Sequence, residues 1–145
     1  MTIGESDKKV RTNINMGRRC RVLCVDDNAL AMHLLSLILE QEGYEVLTSS
    51  DPIMAMKVLK QGAVDLALLD YEMPHMNGGE LAAIVKCGGL AAKVILFSGS
   101  ARISRHDLAF VDRLVQKSEG VEALLEAIES LVPITKRVLV DVQQY

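Results

Sequence analysis

The chain has 145 residues, enough for one hydrophobic core and short of two full domains. Half of the residues are hydrophobic and 24% are charged, which excludes wholesale disorder. The net charge is -3, and residues 22–145 hold ten basic against seventeen acidic groups, so the body of the chain is no general nucleic-acid-binding surface.

Residues 1–19 lack apolar periodicity and carry Lys8, Lys9, Arg11, Arg18 and Arg19, the pattern of a flexible basic arm that attracts acidic partners without identifying them. RVLCV at 21–25 predicts a short strand that runs into Asp26 and Asp27, and Asn28 is a good cap for a helix after them. Leu30, Leu34, Leu37 and Ile38, with Leu35, recur at helical spacing and predict a packed helix over 30–42 that stops at Gly43. Tyr44 to Thr48 predicts a second strand. Asp51 caps a helix from Pro52, for which Ile53, Met56, Val58 and Leu59 offer a packing face and Gly62 a stop.

The nearly continuous apolar run from Val64 to Leu69 predicts a strand covered on both faces, with Asp70 at its carboxyl end. YEMPHMNGG reads as a loop, Glu80 to Lys86 as a short helix, and KVILFSG at 93–99 as a fourth strand. Ser104 to Phe110 predicts another short helix and Arg113 to Gln116 a short strand. Val121, Leu124, Leu125, Ile128 and Leu131 describe one face of a last helix over 121–132, which Pro133 ends. Repeated strand and helix units with short links predict an α/β fold, a doubly wound five-stranded parallel sheet flanked by helices. Functional groups in such folds collect beyond the carboxyl ends of the strands. Asp26, Asp27, Asp70, Ser98 and Lys117 all fall there.

Gathered carboxylates repel one another, and a cation between them turns that cost into a binding site. Mg2+ takes oxygen ligands and keeps waters, so two side chains and a loop carbonyl suffice for it. Asp70 is then a candidate nucleophile, since a carboxylate can accept a phosphoryl group. Ser98 can donate a hydrogen bond to a phosphoryl oxygen, and Lys117 can neutralise another.

With VLCVDDN at 22–28, LALLDYEMPHMNG at 66–78, VILFSGS at 94–100 and Lys117 beyond the fifth strand, the chain resembles the receiver domain of bacterial two-component response regulators over residues 20–132. The resemblance implies a flavodoxin-like receiver fold and Asp70 as phosphoacceptor. It implies Mg2+ held by Asp27, Asp70 and the backbone carbonyl of Glu72, with Asp26 in the outer shell. Ser98 and Lys117 would respond to the new oxyanion, with Glu72, Gly99 and Ser100 modulating the phosphoryl site. The implied partners are a histidine kinase or histidine phosphotransfer protein, an unidentified downstream protein and a second copy of the chain.

Two positions depart from the family pattern: Leu114 stands where an aromatic switch residue is usual, and Ser118 replaces the proline common after the lysine. They point to an intact acceptor apparatus with an atypical output face. The tail at 133–145 is too short for a DNA-binding domain, so a stand-alone receiver that signals by protein contact is expected, and Val138, Val140 and Val142 alternate as in an edge strand or docking tail. A receiver-like adaptor that never carries phosphate is the main alternative. A small aspartyl-phosphate phosphatase is the other, although Asp70 is followed by YEMP rather than the DxDx[TV] pattern of such enzymes. Turnover catalysis is left open.

Cys20, Cys24 and Cys87 form neither a disulfide framework nor a zinc motif, and His33, His75 and His106 lack metal spacing. Cys24 is expected to face the core. With no run of 18 apolar residues and no signal-peptide core, a cytoplasmic location and no membrane span are expected.

Overall fold

The computed structural model describes residues 19–91 and 93–132. The basic arm, apart from Arg19, and the tail fall on residues 1–18 and 133–145 and lie outside the described residues. Five strands, β1 (Arg21–Val25), β2 (Glu45–Ser49), β3 (Leu66–Asp70), β4 (Lys93–Ser98) and β5 (Arg113–Gln116), pair in parallel in the order β2-β1-β3-β4-β5. Between and after them run α1 (Ala29–Gln41), α2 (Pro52–Lys60), α3 (Gly78–Cys87), α4 (Arg105–Leu108) and α5 (Val121–Leu131). This is the doubly wound five-stranded α/β sheet expected from the alternation of elements.

Strand side chains alternate between two cores. Leu23, Val25, Ala67, Leu69, Val94 and Leu96 pack with α2 and α3 residues such as Ala55, Leu59, Leu81 and Val85. Val22, Cys24, Leu66, Leu68 and Ile95 pack on the other face with Leu39 of α1 and Leu124 and Ile128 of α5. All five β3 residues are buried, as a central strand covered on both faces requires. Sheet order reverses at β1, which pairs with β2 on one side and β3 on the other. The carboxyl ends of β1 and β3 therefore lie side by side at the switch point.

The helices start where their caps allow. Asn28 accepts from Ala31 N–H at 3.0 Å, and Asp51 accepts from Ile53 N–H at 2.9 Å with Pro52 beginning the helix. Helix α3 begins at Gly78, two residues before the expected Glu80, because Asn77 and Glu80 form a reciprocal capping box at 2.8 and 2.9 Å. Gly43 and Gly62 have φ of +100° and +88°, so both helix stops use the left-handed region open to glycine.

Several expectations need correction. Leu30, Leu34 and Leu37 do not pack: they are 68%, 51% and 46% exposed, and α1 instead turns Met32, Leu35 and Leu39 to the core. The helix carries two apolar stripes of the same period, and packing against β1 and β2 selects one. Ile53, 62% exposed, likewise yields its place to Ala55. Val121 is exposed at the start of α5. Tyr44 is buried but precedes β2, and Val64 and Asp65 precede β3. The helix expected over 104–110 is one turn, Arg105–Leu108, and α5 ends at Leu131.

Asp112 ties three elements together. Its carboxylate accepts from Val94 N–H at 2.7 Å and pairs with Lys86 Nζ at 2.8 Å, so it joins β4, the end of α3 and the start of β5. Burial alone would raise its pKa, but the Lys86 contact and the Val94 N–H outweigh it and the carboxyl titrates below its ordinary value. A depressed acid stabilises the fold above its unfolded pKa, and that stability is lost as pH falls through its folded value. Lys86→Met is expected to cost about 1 kcal/mol at neutral pH and to lose its penalty in acid, read from urea unfolding at both pH values. An equal penalty at both would assign it to packing of the lysine stem.

Candidate functional site

Each acidic site residue stands at or just past a strand end. Asp70 closes β3 and is 7% exposed, while Asp26 and Asp27 follow the neighbouring β1, with Asp26 half-buried and Asp27 exposed. One carboxylate oxygen from each of the three lies within 4.8 Å of the others. Such a set of hard oxygen donors at the switch point fits a divalent cation. Asp26 is oriented by Asn28 N–H, which donates to its Oδ1 at 2.8 Å, and its own N–H donates to the Ser49 carbonyl at 3.2 Å.

Lys117 arrives from the far side of the sheet. It opens a 3-10 turn, Lys117–Glu119, immediately after β5, and its Nζ lies 3.0 Å from Asp70 Oδ1 and 3.6 Å from Asp26 Oδ2. The ammonium also sits 5.7 Å from the centroid of the Phe97 ring, an aromatic face that guides it between the carboxylates. Ser118 lies within that 3-10 turn, and Leu114 packs half-buried against the core shared with α2 and α3.

Two opposed effects set the charge of Asp70. Burial raises its carboxyl pKa, helped by the negative charges of Asp26 and Asp27, while the hydrogen bond and charge of Lys117 pull it down; the net direction is upward. Burial works against the Lys117 ammonium too, but contact with Asp70 and Asp26 raises its pKa overall. The site therefore holds a destabilised carboxylate next to a firmly protonated lysine, an arrangement suited to attack on an electron-poor centre with the cation ready for anionic oxygens.

Ser98 is fully buried at the end of β4, and its hydroxyl is clasped by its own exit loop. It accepts from Ser100 N–H at 2.9 Å and donates to the Ser100 carbonyl at 3.2 Å. Gly99 between them is exposed, with open space where a Cβ would stand. Glu72 is exposed on the loop after Asp70. A pocket beside Asp70, lined by Cys24, Asp26, Met32, Leu35, Leu68 and Phe97 among others, holds about 10 Å³, room for one water.

Cys24 faces the core as expected, and burial together with Asp26 pushes its thiol up to about 12, so it stays protonated. Sequence reasoning missed Phe97 as the partner of Lys117. It also missed Tyr71, whose phenol donates to Asp107 Oδ2 at 2.6 Å across 36 residues of chain. That bond raises the Tyr71 pKa and keeps the phenol a donor. An aromatic side chain directly after Asp70 was the available signal for Tyr71; nothing in the local pattern marked Asp107.

Known proteins similar to this chain are numerous. The family description "Response regulator receiver domain" matches residues 22–129. A protein-glutamate methylesterase/protein-glutamine glutaminase of Anaeromyxobacter dehalogenans is 33% identical over 117 residues, covering 73% of this chain and 32% of that protein. The chain thus spans about a third of that curated relative. The response regulator TrrA of Thermotoga maritima, solved in complex with Mg(2+)-BeF, is 33% identical with a TM-score of 0.73, over 78% of this chain and 99% of that one. A structure of the histidine kinase ThkA in complex with TrrA matches at 34% identity and a TM-score of 0.72, over 78% of this chain and 98% of that one. Among the described residues, no helix is long and apolar enough to cross a membrane.

Proposed function

The chain belongs to the response regulator receiver domain family, and from that premise we propose that Asp70 accepts a phosphoryl group from a phosphohistidine on a histidine kinase or phosphotransfer protein. The observation that carries this reading is the meeting, at one sheet edge, of the Asp26, Asp27 and Asp70 carboxylates with the Lys117 ammonium. TrrA, a relative solved both with Mg(2+)-BeF and with its kinase, supports the choice of Mg2+ and of a kinase partner.

Asp27, Asp70 and the carbonyl of Glu72 would hold Mg2+, with Asp26 behind them. When bound, the ion would screen the carboxylates from an incoming phosphoryl group and neutralise charge on its oxygens. An Asp70 carboxylate oxygen attacks phosphorus; the new O–P bond forms as the donor's N–P bond breaks, and the electron pair stays with the imidazole, which takes up a proton. Lys117, already at Asp70, moves its charge onto a phosphoryl oxygen. Ser98 releases the Ser100 carbonyl and donates to a second oxygen, with Gly99 leaving room and Ser100 setting the loop. Exposed Glu72 tunes the approach of hydrolytic water. The product is an acyl phosphate whose state is read by another protein.

Incubation with Mg2+ and acetyl phosphate, followed by intact mass, tests the proposal. One added phosphoryl group in the wild type and none in Asp70→Asn is expected. No addition from acetyl phosphate or from a competent kinase would sink it and favour a receiver-like adaptor, whereas turnover of many unrelated phosphoesters would favour a phosphatase.

A further inference from the structure

Tyr71 is covalently joined to the acceptor and held at both ends. Its carbonyl accepts from Gly78 N–H at 3.0 Å, and its phenol donates to Asp107 Oδ2 at 2.6 Å. Asp107 belongs to α4, and the same oxygen lies 3.4 Å from Asn77 Nδ2, the side chain that caps α3. The backbones meet as closely as side chains allow: a Cβ on Gly79 would stand 2.6 Å from both Cβ and O of Asp107. One carboxylate therefore grips the loop from Asp70 to α3 at its first and last residues.

Helix α4 is short, and its other anchors are apolar: Leu108 and the flanking Ile103 and Val111 pack against the core shared with α2 and α3. It is a single turn of four residues, with Ser104 Oγ accepting from Asp107 N–H at 3.1 Å. A lone turn gains almost nothing from its own hydrogen bonds, so its position is set by what it touches. The phenol and carboxylate supply a short bond with a charged acceptor, among the stronger side-chain hydrogen bonds.

We infer that Tyr71 and Asp107 are a positioning pair: they hold the loop that follows Asp70 against α4 and make α4 respond to what occupies Asp70. The inference rests on the acceptor reading and adds the route by which occupancy leaves the site. A phosphoryl group on Asp70 displaces the loop backbone, Tyr71 moves with it, and α4 follows or lets go. Coupling of this kind is reciprocal, so cutting the bond also alters how readily the site takes up a phosphoryl mimic.

The test is hydrogen exchange over residues 102–112 of the full chain with Mg2+ alone and with Mg2+ and beryllofluoride, occupancy being counted by fluorine resonance. In the wild type, beryllofluoride is expected to change exchange in this segment by about three- to ten-fold. At matched occupancy the change is expected to vanish in Tyr71→Phe and Asp107→Ala and to persist in Asp107→Asn, which keeps an acceptor oxygen. The same change in Tyr71→Phe as in the wild type, or none in a fully occupied wild type, would overturn the pairing. Absence of any bound-fluoride signal overturns the acceptor reading itself, so the two failures are told apart.

Discussion

Asp70→Asn is expected to melt at a higher temperature than the wild type in metal-free buffer at neutral pH, while accepting no phosphate. The carboxylate at position 70 is 7% exposed and shares its surroundings with Asp26 and Asp27, so burial and like charge both work against it. Lys117 at 3.0 Å offsets only part of that cost, because the net direction of the Asp70 pKa is upward. The sign follows from linkage. Between the unfolded pKa and the higher folded one, the native state holds a proton the unfolded chain has released, so stability falls as pH rises through that window.

Asparagine lacks this titration and keeps the side-chain shape. A gain of about 1 kcal/mol, roughly 3 °C for a domain of this size, is expected at neutral pH. Mg2+ should reverse the order. A cation at about a hundred times its dissociation constant adds about 2.7 kcal/mol to the state that binds it, and the Asp70→Asn variant would forfeit a charged ligand. Thermal melts of both proteins with chelator and with Mg2+ measure all four values. A variant less stable than the wild type in chelator would mean that the Lys117 pair outweighs the carboxylate repulsion.

Gly78→Ala is expected to be the most damaging small substitution near the site, at about 3 kcal/mol or more. Its added Cβ would stand 2.5 Å from the Asp70 carbonyl oxygen and 2.6 Å from Leu96 Cδ1. Neither neighbour can retreat: the carbonyl belongs to the central strand and Leu96 is fully buried in the adjacent one. Relief would come from moving α3 outward, which breaks the Gly78 N–H bond to Tyr71 and loosens the acceptor loop. Gly99→Ala is the control, since a Cβ there meets nothing within 4 Å and should change stability by no more than about 0.5 kcal/mol. Urea unfolding of the two variants gives the comparison, and a Gly78→Ala protein within about 1 kcal/mol of wild type would show that α3 is free to shift.

Much of this protein was legible in its sequence. Short apolar strands alternating with capped helices define a doubly wound sheet, because a parallel strand must be followed by a crossover helix. Asp26, Asp27, Asp70 and Lys117 were legible as neighbours, and Ser98 as the end of β4, because every strand of such a sheet points its carboxyl end to the same edge. The capping residues Asn28 and Asp51 were equally plain, since a cap acts within three residues of itself.

What the sequence left open concerns direction and distance. Either apolar stripe of α1 satisfies the helical period, and only docking on β1 and β2 turned Leu39 inward and left Leu30 and Leu34 outside. The early start of α3 depended on a reciprocal pair, Asn77 with Glu80, whose geometry decides between loop and helix. Lys117 between two carboxylates, Phe97 beneath it and Asp107 on the Tyr71 phenol each join residues far apart in the chain. Local pattern determined which elements form and which chemical groups reach the sheet edge, because propensity and capping act over a few residues. Tertiary packing alone decided which faces are covered and which charges meet, because those outcomes rest on contacts the chain makes only once folded.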